Sequence, residues 1–326
     1  MRLLVTGGAG YIGSVVVSLL TTGGHEVTVL DDLSTGYADA VPAAATFVRG
    51  TVRDHAQEIL ARGADAVLHF AAKSLVAESV ARPSLYWHHN LGGTLALLEA
   101  MRVTGTPRIV FSSTAAVYGE PETTPITESA PPRPTNPYGA SKVAADTALA
   151  EHARMHGAGA VSLRYFNVAG AHAGPDGTWS GERHDPETHL IPSILKVALA
   201  GAGPGAQVSI FGDDYPTRDG TCVRDYIHVT DLARAHLLAL DACTPGQHKI
   251  YNLGSGTGFS NLEVLQACRE ITGHEIPART APRRAGDPAV LVASSDRFHA
   301  ERRWQPESGL RAMVADAWEF ARSRPR

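Results

Sequence analysis

The stretch Gly7-Gly8-Ala9-Gly10-Tyr11-Ile12-Gly13 restricts what this chain can fold into more than any other. It follows an apolar run, Leu3-Leu4-Val5-Thr6, that reads as a strand. It precedes residues 14–20, whose apolar spacing predicts a helix. Gly7, Gly10 and Gly13 form a G-x-x-G-x-x-G pattern, a variant of the dinucleotide fingerprint. Such a turn lets the backbone approach a pyrophosphate, and the helix N-terminus supplies N–H groups and a positive dipole. A second strand, 26–30, ends at Asp31, 18 residues past Gly13, where an acid can accept from a ribose 2′-hydroxyl. Asp31 and Asp32 repel a 2′-phosphate and no Arg adjoins them, so the pattern predicts NAD rather than NADP. The bland alternative is a Gly-rich turn in an α/β core that binds nothing, and Asp31 weighs against it.

Strands and helices then alternate. Residues 46–48, 66–70, 108–112 and 160–165 read as strands, and 84–103 and 138–155 as helices between them. This alternation predicts an α/β fold with a doubly wound, Rossmann-type parallel sheet. Ligands bind beyond the carboxyl ends of such strands, where Gly7, Asp31, Ala71, Ser113 and Phe166 fall. After about Asn167 the chain becomes richer in Gly, Pro and Asp, with a helix expected at 190–200, a strand at 208–211 and a helix at 230–240. Two portions are expected: a NAD-binding domain at 1–166, and a smaller, mainly substrate-binding domain at 167–326 that interleaves with the last sheet strands.

A net charge of -4 over 326 residues argues against a nucleic-acid partner. No run of 18 apolar residues suggests a membrane span, and the first strand begins too near Met1 for a signal peptide. The three cysteines, Cys222, Cys243 and Cys268, suggest no disulfide framework and fit a reducing cytoplasm. Of 15 histidines, His88, His89, His184 and His189 show no metal-ligand spacing on one face, and no metal is expected.

Tyr138 and Lys142 lie four residues apart in a predicted helix, hence on one face, downstream of Ser112-Ser113-Thr114. A free tyrosine titrates near 10, so a base working at neutral pH needs about 4 kcal/mol of extra stabilisation of its phenolate. The Lys142 ammonium and the Thr114 hydroxyl are the candidate sources. Taken alone, such a Tyr–Lys pair is usually a surface pair. Its weight here comes from the glycine turn in the same region.

These motifs, with Ser112-Ser113-Thr114-Ala115-Ala116-Val117-Tyr118-Gly119 and Arg164-Tyr165-Phe166-Asn167, resemble the extended short-chain dehydrogenase/reductase superfamily. Within it, Phe211-Gly212-Asp213-Asp214-Tyr215-Pro216-Thr217, Val223-Arg224-Asp225-Tyr226-Ile227-His228 and Arg283-Arg284 with Asp287 resemble the UDP-glucose (UDP-galactose) 4-epimerase family, over nearly the whole chain. The resemblance implies transient oxidation of the hexose at C4 by tightly bound NAD, rotation of the 4-keto sugar and reduction on its other face. Tyr138 would be the base, with Lys142 and Thr114 as catalytic partners. Phe70, Ala71, Asn90, Ser112 and Tyr165 would join Gly7, Gly10, Tyr11, Ile12, Gly13, Asp31, Tyr138 and Lys142 around the cofactor. Asn167, Leu190, Phe211, Arg224, Arg284, Asp287 and Leu291 would join Thr114 and Tyr138 around the UDP-sugar. The family also implies a homodimer through helices 84–103 and 138–155, with Leu95, Leu98, Ala144 and Ala148 as candidate contact residues.

Three positions depart from the pattern. Thr51 follows Gly50 where the family often has an adenine-contacting Asp, Ser74 replaces a common Lys, and Leu291 stands at a pocket-gating position often held by Tyr. Leu291 keeps a UDP-N-acetylglucosamine 4-epimerase or a dual-specificity enzyme open. A 4,6-dehydratase would need an acid/base pair beside Thr114, where Ala115 and Ala116 stand. A catalytically inert NAD sensor would be expected to lose Tyr138 or Lys142, and both are present.

Overall fold

The computed structural model describes residues 1–175, 177–201, 207–284 and 287–324. Seven parallel strands form the central sheet. The first six in chain order are β1 (Arg2–Thr6), β2 (Glu26–Asp31), β3 (Thr46–Arg49), β4 (Ala66–His69), β5 (Arg108–Thr114) and β6 (Gly159–Tyr165). Their spatial order is β6-β5-β4-β1-β2-β3, and strand His248–Leu253 completes the sheet beside β6. The doubly wound fold is therefore as expected. Connections leave β1 in one direction and β4 in the other, so a crevice opens beyond the ends of these two strands.

Side-chain alternation on the strands builds two cores. Leu3, Val5, Leu68 and Val110 face helices Tyr11–Thr22 and Val229–Leu240. Leu4, Val67, Ile109 and Phe111 face helices Val52–Ala61, Gly92–Thr104 and Pro137–His156. A sheet buried on both faces needs apolar residues at successive positions, which is why these strands read as near-continuous apolar runs. The chain after Asn167 returns to this layer as helix Val229–Leu240, as strand His248–Leu253 and with Phe298 and Trp304.

The rest of that half forms smaller sheets over a separate core that includes Ile194, Leu195, Val264, Met313 and Val314. Strand Val223–His228 pairs along its length with Val290–Leu291, Gly258–Ser260 and Asn167–Ala169.

The structure refines the helix expected at 84–103. A short helix, Pro83–Tyr86, runs through a π-helical turn, Trp87–Leu91, into Gly92–Thr104. Within that turn, the Asn90 carbonyl accepts from the Thr94 hydroxyl (2.7 Å) while the Asn90 side chain reaches out to other elements. Among the described residues no helix is long and apolar enough to cross a membrane.

Candidate active site

One cleft of about 1680 Å³ runs from the glycine turn, across the ends of β1, β4 and β5, to the small sheets. At its floor, Gly13 sits where a Cβ would come within 2.2 Å of the Gly7 carbonyl oxygen, so only glycine lets the first helical turn close against the loop. Gly10, the helix N-cap, offers no side chain, and the first turn carries no acid. The leading N–H groups and the positive end of the dipole therefore face the cleft.

Asp31 is 8% exposed at the end of β2 and accepts from the backbone N–H groups of Ala9 (3.0 Å) and Leu33 (2.8 Å). Burial raises its pKa against the lowering effect of these bonds. Its two oxygens hold two of their four lone-pair sites free for hydroxyl donors. A glycine cradle at a helix N-terminus and an acid at the neighbouring strand end fit a dinucleotide diphosphate and its adenosine ribose. Phe70 and Ala71 at the end of β4, and Ser112 and Tyr165 at the ends of β5 and β6, line the same cleft, with the Ser112 and Tyr165 hydroxyls bonded to each other.

Asn90, 2% exposed, sits beside the cleft wall. Its side chain accepts from Lys73 N–H (2.8 Å) and donates to Lys73 C=O (3.0 Å) and Ser141 Oγ (3.1 Å). It thereby ties the 73 loop to helix Pro137–His156 from behind.

That helix begins at Asn136, whose side chain accepts from Gly139 N–H at 2.9 Å, with Pro137 at the first position. A Cβ on Gly139 would approach the Ala116 carbonyl oxygen to 2.4 Å. Glycine there lets the helix start press on the turn Ala115–Val117, directly after Thr114. The contact sets the Tyr138 phenol beside the Thr114 side chain. Burial pushes the Tyr138 pKa up, and the Thr114 hydroxyl opposes that rise.

Lys142, 2% exposed, donates to the Ser112 carbonyl (2.8 Å) and lies 4.7 Å from the centre of the Phe111 ring. Burial drops its pKa to about 8 while Asp146, one turn on, opposes the drop. Asp146 is itself paired with Arg164 (2.8 Å), and both are almost wholly buried. Arg164 donates on to Tyr118 Oη (3.1 Å), and Tyr118 to Asn252 Oδ1 (2.7 Å). The sequence reading overlooked Asn136, Gly139 and Asp146. An N-cap before Pro137 and an Asp four residues after Lys142 were the available signals.

At the far end, Arg224 and Asp287 form an ion pair, and Arg284 stacks on Phe211 at 4.0 Å. Asn167, Leu190 and Leu291 line the cleft with them. Leu291 packs against the cluster that includes Ala115, Val117 and Phe166. Ala115 and Ala116 also line the cleft and carry no proton-transfer group.

Thr51 caps helix Val52–Ala61. It accepts from Asp54 N–H (3.3 Å) and donates to the Asp54 carboxylate (2.6 Å), so its hydroxyl serves the helix start. Lys73, beside Ser74, reaches Ser34 Oγ at 3.1 Å.

Residues 3–254 match the NAD dependent epimerase/dehydratase family. The chain belongs to that family. Within it, the chain is 55% identical to the UDP-glucose 4-epimerase of Streptomyces lividans, across all of this chain and 97% of that one. It is 54% identical to the UDP-glucose 4-epimerase of Corynebacterium glutamicum, covering 98% of this chain and 95% of that one. The crystal structure of the Brucella ovis UDP-glucose 4-epimerase in complex with NAD superposes with a TM-score of 0.91 at 43% identity, covering 98% of each chain. An epimerase/dehydratase family member is an NAD-dependent enzyme, and NAD is the cofactor this cleft fits.

Proposed function

We propose that this chain is a UDP-glucose 4-epimerase, interconverting UDP-glucose and UDP-galactose with NAD held in the cleft. The observation that carries the reading is the shared cleft. The glycine turn and Asp31 lie at one end, Tyr138, Thr114 and Lys142 in the middle, and Arg224, Arg284 and Asp287 at the other.

In this reading Gly7, Gly10, Tyr11, Ile12 and Gly13 hold the cofactor diphosphate and Asp31 holds its ribose. When bound, NAD supplies a two-electron acceptor at the sugar C4 and the positive charge of its pyridinium ring. Tyr138 takes the proton of the 4-hydroxyl and later returns it. Thr114, beside the phenol, relays that proton. Lys142 is mostly protonated at pH 7, given its pKa of about 8, and contributes a fixed positive charge. Burial alone disfavours the phenolate, so positive charge in the cleft must offset it. Arg224 and Arg284 are suited to the UDP diphosphate by their paired donors, and Asp287 to the ribose hydroxyls. Leu190 and Asn167 complete the nucleotide wall, and Phe211 offers a ring face to the base. The half of the chain after residue 166 thus supplies most of the UDP-sugar contacts.

Incubating the purified protein with UDP-galactose, without added NAD, and following C4 inversion by NMR tests the reading. Formation of UDP-glucose supports it. Elimination to a 4-keto-6-deoxy sugar, or no turnover with NAD present, rejects it.

The same reading makes the enzyme a cytoplasmic homodimer. Its three cysteines are free, and Trp87, Leu95, Val103 and Met155 are exposed around helices Gly92–Thr104 and Pro137–His156. Leu98 drops out of the expected contact set because it is buried in the core, at 5% exposure. A monomer mass by light scattering at micromolar concentration rejects the dimer.

A further inference from the structure

Between strand Trp179–Gly181 and helix Leu190–Ala200, a short loop brings four side chains together that the linear spacing kept apart. The Nδ1 atoms of His184 and His189 lie 3.0 and 2.8 Å from Glu182 Oε1. Glu187 approaches the same two nitrogens, at 4.0 Å for His184 and 3.1 Å for His189. All four donor atoms fall within 4.8 Å of one another. The fold of the loop thus brings together at one point His184 and His189, whose spacing in the sequence suggested no metal site.

We propose that Glu182, His184, Glu187 and His189 form a structural site for a divalent first-row transition metal, zinc foremost. The donor set is two imidazoles and two carboxylates, which suits zinc. Zinc bonds of about 2.0–2.1 Å in a tetrahedron place neighbouring ligand atoms about 3.3 Å apart; the four His–Glu contacts here span 2.8–4.0 Å and all four donors lie within 4.8 Å of one another.

The carboxylates are 8% and 10% exposed and lie side by side, an arrangement that one divalent cation neutralises. Both imidazoles present the same ring nitrogen to one point. The Glu187 carboxylate is held in place by the backbone N–H groups of Thr188 and His189, each at 2.8 Å. Four protein donors close the coordination sphere, which marks a structural rather than a catalytic site.

The site would clamp a wall of the cleft. Arg183, between two of the ligands, forms a bidentate pair with Asp39 (2.7 and 2.8 Å) and stacks on Tyr37 at 3.8 Å. Tyr37 in turn donates its N–H to the carbonyl of Ala9 in the glycine turn (2.9 Å). Leu190 follows directly after His189. One metal ion would thus fix the segment that joins the nucleotide wall to the cofactor loop.

The test uses the full-length, NAD-containing protein, dialysed against a chelator and titrated with zinc chloride in competition with a colorimetric indicator. Cobalt chloride is titrated in parallel to read the visible d–d band of tetrahedral Co2+. The expected result is one zinc per chain, a tetrahedral cobalt spectrum, and at least about tenfold weaker binding in H184A and in E182Q. Zinc bound no more tightly by the wild type than by these variants, or no cobalt band in the folded wild type, overturns the proposal and leaves an imidazolium–carboxylate cluster only. Elemental analysis of the wild type as purified gives a second reading that does not depend on a variant folding.

Discussion

Tyr138 and Thr114 meet because Gly139 leaves no Cβ between the helix start and the Ala116 carbonyl. In the proposed mechanism the pair bears the proton transfer, and its removal is the sharpest test at the residue scale. Tyr138→Phe should retain NAD and UDP-sugar binding and lose at least about 100-fold in kcat, the lower range of general acid–base catalysis. Turnover within a few fold of wild type would remove Tyr138 from the chemistry. Leu291 offers a second test. It lines the cleft and packs against the cluster that includes Ala115 and Phe166, so a larger side chain would narrow the cleft there. Differences in hydrophobic pocket size discriminate by only about 1–3 kcal/mol, or roughly 10- to 200-fold. Leu291→Tyr should lower kcat/KM for UDP-N-acetylgalactosamine relative to UDP-galactose within that range. An unchanged ratio would mean that Leu291 gates nothing.

At the scale of elements, the first strand, turn and helix act as one unit. A Cβ at residue 13 would stand 2.2 Å from the Gly7 carbonyl oxygen, and main chain cannot move aside as a flexible side chain can. Gly13→Ala should destabilise the protein by about 1–3 kcal/mol, the usual range for overpacking. It should also release cofactor, because the helix N-terminus shifts away from the diphosphate site. Urea unfolding and the NAD content of the purified variant measure the two effects. Full NAD occupancy with unchanged stability would contradict the close packing. The π-helical turn Trp87–Leu91 works by a related logic, since a widened turn frees the Asn90 side chain to fasten the 73 loop and helix Pro137–His156 together.

Across the whole molecule, burial sets how stability responds to acid. His69 lies between Thr6 Oγ1 (2.6 Å) and Thr94 Oγ1 (3.0 Å), and burial drops its pKa to about 3. His236, wedged by Phe70 and Tyr165, falls to about 4 for the same reason. An unfolded histidine titrates near 6.5, so below that pH the unfolded chain binds protons that the native chain refuses. Stability from these two groups is present above pH 6.5 and declines as pH falls, by about 2 kcal/mol per histidine at pH 5. The raised pKa values of Asp31 and Asp225 act in the opposite sense, so comparison with a variant is needed to isolate one histidine. His236→Leu should reduce the loss of stability between pH 7 and pH 5 by about 2 kcal/mol in urea titrations. Equal losses in both proteins would show that His236 is not held neutral.

The local code of the chain was enough for the first six strands of the central sheet, the helices Tyr11–Thr22, Pro137–His156, Leu190–Ala200 and Val229–Leu240, the glycine turn, Asp31 and the Tyr138–Lys142 pair, but not for the seventh central strand His248–Leu253 or for the helices Val52–Ala61, Asn261–Thr272 and Leu310–Ser323. Each depends on neighbours a few residues away, through side-chain periodicity, glycine geometry or one helical turn. Joining Arg224, Arg284 and Asp287 to that pair required a resemblance to a family, because no local rule links residues that far apart in sequence. Other features were decided only by tertiary structure. The Asn90 side chain found the 73 loop and helix Pro137–His156, and Leu98 went from the surface to the core. Asp146 found Arg164, and the Thr51 hydroxyl was taken up by its own helix start. His184 and His189 converged on Glu182 and Glu187 because the loop between a hairpin and a helix folds back on itself. For Asn90, Leu98 and Asp146 the partner is chosen by where distant elements pack, and packing is a property of the whole chain that no window of sequence contains; for Thr51 and the 182–189 loop the partners are near in sequence, and the backbone path that the rest of the fold imposes brings them together.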